Sequence, residues 1–265
     1  MDTDSGKKNH TAHKGIEKMG KKLKQYETVI KVMEENGGFA TLANLYQNVL
    51  KVPGCEWKSK TPFASIRRIV QDERYFFKIR PGLWALKSHA NKVKKLFNIE
   101  TENELEEQKF THSYFQGLLV ELGNLKNFIT YVPSQDKNKN FLNKKLKELI
   151  GIESIFRFSY EDFVDRASTI DVIWFNERKM PNAFFEVEHT TDIQNSLIKF
   201  VDLQDFYTKY YIVADIARKS EFHKKINYNV FKGIKNRVEF LGYDDLSLLH
   251  AKTFELHELS SRINI

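Results

Sequence analysis

The sequence predicts an α/β protein in two parts: a mixed β-sheet flanked by helices, and before it a separate, smaller domain of helices closed by a hairpin. Three observations carry this. The chain has 265 residues, more than the roughly 100–200 of one ordinary domain, so two cores are expected. Residues 25–87 show three apolar stripes at helical period followed by two strand-like runs. Beyond residue 110, runs rich in Val, Ile and Phe alternate with amphipathic stretches, the pattern of an α/β sheet.

Composition narrows the setting. Lys and Arg number 42 against 35 Asp and Glu, a net charge of +7, and such an excess favours a polyanionic partner through faster encounter and counterion release. A single cysteine, Cys55, excludes an intramolecular disulfide and a Cys-clustered zinc site. Any metal must therefore be held through oxygen or histidine, and a reducing, cytoplasmic interior is expected. No run reaches the ~18 apolar residues of a membrane span, so no membrane partner is expected. Residues 1–24 are lysine-rich and nearly devoid of apolar groups, too polar to offset their ordering entropy by burial. They read as a flexible basic arm, either a phosphate-tracking tail or an ordinary solvated terminus.

Over 25–87 the elements follow from local chemistry. Val29, Ile30, Val32 and Met33 mark a first helix that stops at Gly37-Gly38. Thr41 is placed as the N-cap of a second helix carrying Leu42, Leu45, Tyr46, Val49 and Leu50. Thr61-Pro62, a hydroxyl followed by proline at the first helical position, starts a third with Phe63, Ile66, Ile69 and Val70 inward. Tyr75–Ile79 and Leu83–Leu86 flank the turn Arg80-Pro81-Gly82 and form a hairpin. Three helices and a hairpin make a winged helix. Residues 88–109, with acids at Glu100, Glu102, Glu104, Glu106 and Glu107, read as a linker.

From 110 to 265 the expected order is a helix over 112–125, a strand over 127–132, an inserted helix over 142–150, strands over 169–175 and 182–189, a helix over 195–207, a strand over 210–214, a helix over 220–227 and a strand over 238–241. Residues i and i+2 of a strand share a face, so Glu186 and Glu188 project together and Phe185 and Val187 project oppositely. Asp171 lies between Ile170 and Val172 in a run that otherwise reads as buried sheet. Burying several carboxylates on adjacent strands is costly unless a divalent cation lies between them, and oxygen-only ligation suits Mg2+. Glu121 falls on the stripe of Tyr114, Leu118, Leu122 and Leu125 and is expected to face the sheet. Lys199 is expected to project away from the stripe of Leu197, Phe200 and Val201, whereas Gln204 falls within it and can support the site or serve as a core amide. His189 points to the other sheet face and reads as structural.

With these residues the chain resembles the PD-(D/E)xK nuclease superfamily, whose core is an αβββαβ unit with Asp on one strand and Glu-x-Lys on the next. Thr169-Ile170-Asp171 supplies the first motif and Phe185-Glu186-Val187-Glu188 the second, with Glu188 where the family usually has Lys. The resemblance implies a Mg2+-dependent DNA endonuclease, with Mn2+ as a substitute. In it Asp171, Glu186 and the Val187 carbonyl hold the metal, Glu188 orients or deprotonates the attacking water, and Glu121 binds or positions an ion. It further implies a type II-like restriction enzyme acting on double-stranded DNA as a homodimer, with a cognate DNA methyltransferase as a partner.

Residues 25–87 are similar to winged-helix domains of the HARE-HTH kind, through Thr61-Pro62-Phe63-Ala64-Ser65-Ile66-Arg67-Arg68 and the Arg80-Pro81-Gly82-Leu83-Trp84 wing. Such domains read DNA or dock proteins. On the DNA reading, Ala64, Ser65, Arg68 and Gln71 project outward, with Arg68 suited to a guanine edge, and Lys58, Lys60 and Arg80 contact phosphates; Thr61 and Arg67 are expected among the DNA-binding residues as well. Two alternatives stay open: an inactive DNA-binding regulator that keeps the nuclease fold as a scaffold, and a repair or structure-specific nuclease.

Overall fold

The structure, a computed structural model, describes residues 22–97, 99 and 104–263. The expected basic arm falls almost wholly outside these residues, as do Glu100 and Glu102 of the expected linker.

The N-terminal part contains α1 (Gln25–Glu35), β1 (Phe39–Thr41), α2 (Leu42–Asn48), α3 (Pro62–Ile69), β2 (Phe76–Arg80) and β3 (Leu83–Leu86). The strands form an antiparallel sheet in the order β1-β3-β2. Thr41 caps α2, its hydroxyl accepting from the Asn44 N–H at 3.2 Å. Thr61 precedes Pro62 at the start of α3, but its side chain makes no capping bond, so proline alone sets that start. Phe39, Ala40 and Thr41, between the first two helices, are the strand that completes the sheet.

The C-terminal part runs α4 (Ala90–Leu96), α5 (Glu104–Leu125), β4 (Ile129–Tyr131), β5 (Asn140–Phe141), β6 (Lys144–Lys145), α6 (Glu161–Ser168), β7 (Val172–Phe175), β8 (Pro181–Glu188), α7 (Ile193–Asp202), β9 (Lys209–Ala214), α8 (Lys219–Ile226), β10 (Val238–Gly242) and α9 (Tyr243–Ile263). Among the described residues its main sheet has the order β10-β9-β8-β7-β4. β4, β7 and β8 pair antiparallel, while β8, β9 and β10 are parallel. Parallel neighbours need a crossover, and α7 and α8 provide the two. The fold is therefore α/β with a mixed sheet flanked by helices.

One sheet face packs Phe185 and Val187 against Phe115, Leu118 and Leu119 of α5. The other packs Phe184 against Ile193, Leu197 and Phe200 of α7. The first of these cores continues into the N-terminal part through Phe39, Ile79, Leu83 and Ala85. Val93 and Phe97, inside the expected linker, belong to it as well. The two parts thus share apolar packing where separate domains were expected.

Three further elements differ from expectation. Residues 142–150 form a short hairpin and a 3-10 turn instead of a helix. Leu142, Leu146, Leu149 and Ile150 mimic a helical stripe, but Leu142 adopts φ +53°, outside any helix. Phe141 anchors the hairpin by covering Gly117 of α5, in the space a Cβ would need. Neither α6 nor α9 was anticipated. The exposed Leu249, Leu256 and Ile263 of α9 lie on a different side from its buried Leu246, His250 and Phe254, so no single stripe marks it.

Candidate active site

Strand register brings two acids together at one end of the sheet. Val172 is paired with Phe185, so Asp171, at the bend before β7, lies beside Glu186. The Asp171 N–H points to Glu186 Oε1 at 3.4 Å, and the Val187 N–H donates to Asp171 Oδ2 at 2.8 Å. Glu186 and Glu188 are only 3% and 4% exposed on the face covered by α7. There the Ser196 hydroxyl donates to Glu186 Oε2 at 2.9 Å and also to Glu188. Thr191 gives Glu188 a second hydroxyl donor. Asp192 fixes the start of α7 by accepting from the Gln194 N–H, which aims Ser196 at the strand.

Lys199 is the principal departure from expectation. Its ammonium lies 2.8 Å from Glu186 Oε2 and 3.0 Å from Oε1, and donates to the Thr169 carbonyl at 3.1 Å. The inward face of α7 is Ile193, Ser196, Leu197 and Phe200. Lys199 flanks that face about 60° from Ser196 at 100° per residue, and its four-carbon stem spans the gap.

On the opposite side α5 supplies His112 and Gln116, one helical turn apart. His112 Nε2 lies 3.1 Å from Asp171 Oδ2. Gln116 Nε2 donates to the Asp171 carbonyl at 3.1 Å and to the buried Asp136 carboxylate at 2.6 Å. Glu121, nine residues past His112, is about 180° round the helix. It therefore faces away, pairing with His250 of α9 at 2.8 Å. The expectation that Glu121 joins the sheet acids is corrected: an apolar stripe cannot identify the inward side of a helix buried nearly all round. Gln204 is also elsewhere. α7 ends at Asp202, so the helical angle does not extend to Gln204. Its carbonyl accepts from Arg237 near the start of β9, the far end of the sheet from Glu188.

The electrostatics follow from crowding. Burial first, then the charge of Asp171, pushes the Glu186 carboxyl up to about 8, with Lys199 and Ser196 offsetting part of the rise. For Asp171 burial also works upward, but His112, the Val187 N–H and Lys199 outweigh it and hold the carboxyl below its usual range. Against burial, Asp171 draws the His112 imidazole upward. Lys199 is likewise raised against burial, by Glu186, Asp171 and Glu188. The pair therefore keeps one firm negative charge on Asp171 and a protonation-prone Glu186. Among the described residues no three His, Cys, Asp or Glu side chains converge as a ready-made metal centre. Two carboxylates do meet, and one or two are what Mg2+ takes while retaining waters.

The expected DNA-reading residues divide. Lys58, Lys60, Thr61, Arg68 and Gln71 are exposed, and Ser65 is half-buried beside them. Arg67 and Arg80 are internal ties. Arg67 bonds the Tyr46 hydroxyl at 2.9 Å and Glu255 of α9 at 2.8 Å. Arg80 bonds Thr111 at 3.2 Å and Glu107 at 2.5 Å, both on α5. Their guanidinium groups join the N-terminal part to the rest, which corrects the phosphate contact expected of Arg80. Sequence reasoning passed over His112, Gln116, Asp136 and Ser196. The i, i+4 spacing of His112 and Gln116 was the one visible signal, and it lacked a partner until the sheet placed Asp171.

Comparison with known proteins adds a family. The model of the type II restriction enzyme NmeDI C-terminal domain matches residues 94–262, from within α4 to the last turn of α9. The type II restriction enzyme NmeDI of Neisseria meningitidis serogroup C is 29% identical over 137 residues, covering 48% of this chain and 39% of that protein. The chain therefore spans well under half the length of this curated relative. No solved structure matches.

Proposed function

The chain belongs to the type II restriction enzyme NmeDI C-terminal domain family, and from that premise we propose that it is a site-specific DNA endonuclease with a PD-(D/E)xK-type centre at Asp171, Glu186 and Lys199. The observation that carries the reading is the convergence of those three residues at one end of the sheet, beside β7 and β8. Asp171, Glu186 and the Val187 carbonyl are the proposed ligands of Mg2+, or of Mn2+ in its place. The donor chemistry fits: all are hard oxygens, and a divalent cation between the acids would offset both the burial and the Asp171 charge that raise Glu186. When bound, the ion supplies Lewis-acid stabilisation of the phosphate and a more acidic water.

The chain's own residues do the rest. His112 and the Val187 N–H fix the Asp171 rotamer. Lys199 places a cation beside Glu186, where it can hold the attacking water or a phosphate oxygen. It thus supplies the charge that Glu188 leaves missing from the second motif. Glu188 accepts from Ser196 and Thr191, and the Ser196 hydroxyl that it shares with Glu186 holds it beside the proposed metal ligand, where it can orient that water.

The N-terminal part is proposed as a winged-helix DNA reader, supported by its β1-β3-β2 sheet, by exposed Arg68 on α3 and by exposed Gln71 in the turn just past it. Each site cuts one strand, so a homodimer is proposed, and a methyltransferase that protects the host site is the proposed cognate partner. The test is digestion of methylated and unmethylated duplexes of known sequence with and without Mg2+, beside the Asp171→Asn variant. Discrete fragments that need both Mg2+ and Asp171 support the reading; intact DNA under all conditions refutes it.

A further inference from the structure

The chain leaves β4 beside the candidate active site, because Tyr131 pairs with Ile173, two residues past Asp171. It then enters a lysine-rich hairpin. Asp136, at its entry, is buried against Gln116, which also holds the Asp171 carbonyl. Lys137 and Lys139 are committed to this base, to the Glu153 carbonyl and to Asp136. Phe141 seats on Gly117, the residue after Gln116, and Leu146 is buried beneath the turn. At the tip Asn143 donates to the Asn36 carbonyl and side chain, both at 3.2 Å, in the N-terminal part. The ribbon is therefore fixed at three points between the acids and the α1–β1 corner. Lys144, Lys145 and Lys147 are exposed upon it, and among the described residues no ion pair engages them. One acid accompanies them, Glu148, whose carboxylate accepts from the Lys145 N–H at 2.8 Å.

We infer that the β5–β6 hairpin and the 3-10 turn that follows it form a phosphate-binding ribbon that holds duplex DNA between the candidate active site and the N-terminal part, through Lys144 and Lys145 of β6 and Lys147 of the turn. This rests on the endonuclease reading and extends it to a surface. Clustered cations on a pre-ordered backbone bind phosphates with little ordering cost, whereas the same lysines on a loose loop lose more entropy on binding. The test is duplex binding by the full chain in a metal chelator across a potassium chloride series, comparing wild type with Lys144→Gln/Lys145→Gln/Lys147→Gln. A charge-matched control, Lys224→Gln/Lys232→Gln/Lys235→Gln, alters exposed lysines at or beyond α8. The hairpin variant is expected to reduce the slope of log affinity against log salt by roughly 2–3, and the control to leave it near wild type. An unchanged slope in the hairpin variant, or an equal loss in the control, overturns the assignment while leaving the endonuclease reading in place. If folded wild-type protein retains no duplex, both fall together.

Discussion

Replacing Lys199 with methionine removes the ammonium bonded to Glu186 while keeping most of the side chain's volume. Single-turnover cleavage is expected to fall roughly 100- to 10,000-fold with duplex affinity nearly unchanged, and Lys199→Arg to restore part of the rate. Near-wild-type cleavage by Lys199→Met would remove it from the mechanism. A second residue-scale outcome concerns Gly117, whose missing Cβ is the space occupied by the Phe141 ring. Gly117→Ala is expected to lower stability by about 1–3 kcal/mol through overpacking, despite alanine's better helix propensity, and a denaturant titration reads this directly. At this scale Asp171 and Glu186 were legible because acids in otherwise apolar strand runs stand out. Lys199 was not, because a helical wheel fixes the direction of a Cβ and says nothing of how far a long side chain reaches.

Between elements, α9 is tied to the N-terminal part through Arg67 and Glu255, whose side chains are 28% and 19% exposed. Burial works to raise the Glu255 carboxyl, but bonds from Lys252 and Arg67 outweigh it and hold it below its ordinary value of 4.5. A depressed folded-state value means that this stabilisation is present above the unfolded value and is lost as pH falls through the folded one. Below about pH 4.5 the wild type should therefore lose stability that Glu255→Gln never had, by about 0.5–1 kcal/mol given partial solvent screening. Urea midpoints of both proteins at pH 7 and pH 3 check this: parallel shifts would show that the contact adds nothing. The elements flanked by strong punctuation, such as Gly37-Gly38, Thr61-Pro62 and Arg80-Pro81-Gly82, were readable. The β5–β6 segment was not, because its helix-like spacing is contradicted by a left-handed residue.

Across the whole molecule, the shared core changes what truncation does. Two separate domains joined by a linker over 88–109, as the sequence predicts, would let residues 88–265 fold alone. Removing residues 1–87 instead strips Leu83, Ala85 and Phe39 from the core containing Tyr114 and Leu118, and takes the Pro81 carbonyl from Tyr114 and Ser247. The fragment is expected to be markedly destabilised in a thermal melt; a melt like that of the full chain would restore the independent-domain picture. α9 also bears on assembly. Leu249, Leu256 and Ile263 are 42%, 64% and 64% exposed at heptad spacing, the seam a second helix would cover. Sedimentation should find wild type dimeric and Leu249→Glu/Leu256→Glu monomeric with an unchanged melt, and a monomeric wild type would reject the homodimer.

The sequence by itself determined the α/β class, the positions of most strands, the basic excess and the pairing of Asp171 with Glu186. Each of these follows from local rules: apolar periodicity, turn chemistry, and the two-residue repeat of a strand. Only the tertiary structure decided that Lys199, His112 and Gln116 surround those acids, that Glu121 and Gln204 do not, and that Arg67 and Arg80 are ties instead of free cations. The reason is physical. Which way a buried helix faces, and which distant charge a long side chain meets, depend on packing among segments separated by tens of residues, and no local pattern encodes that.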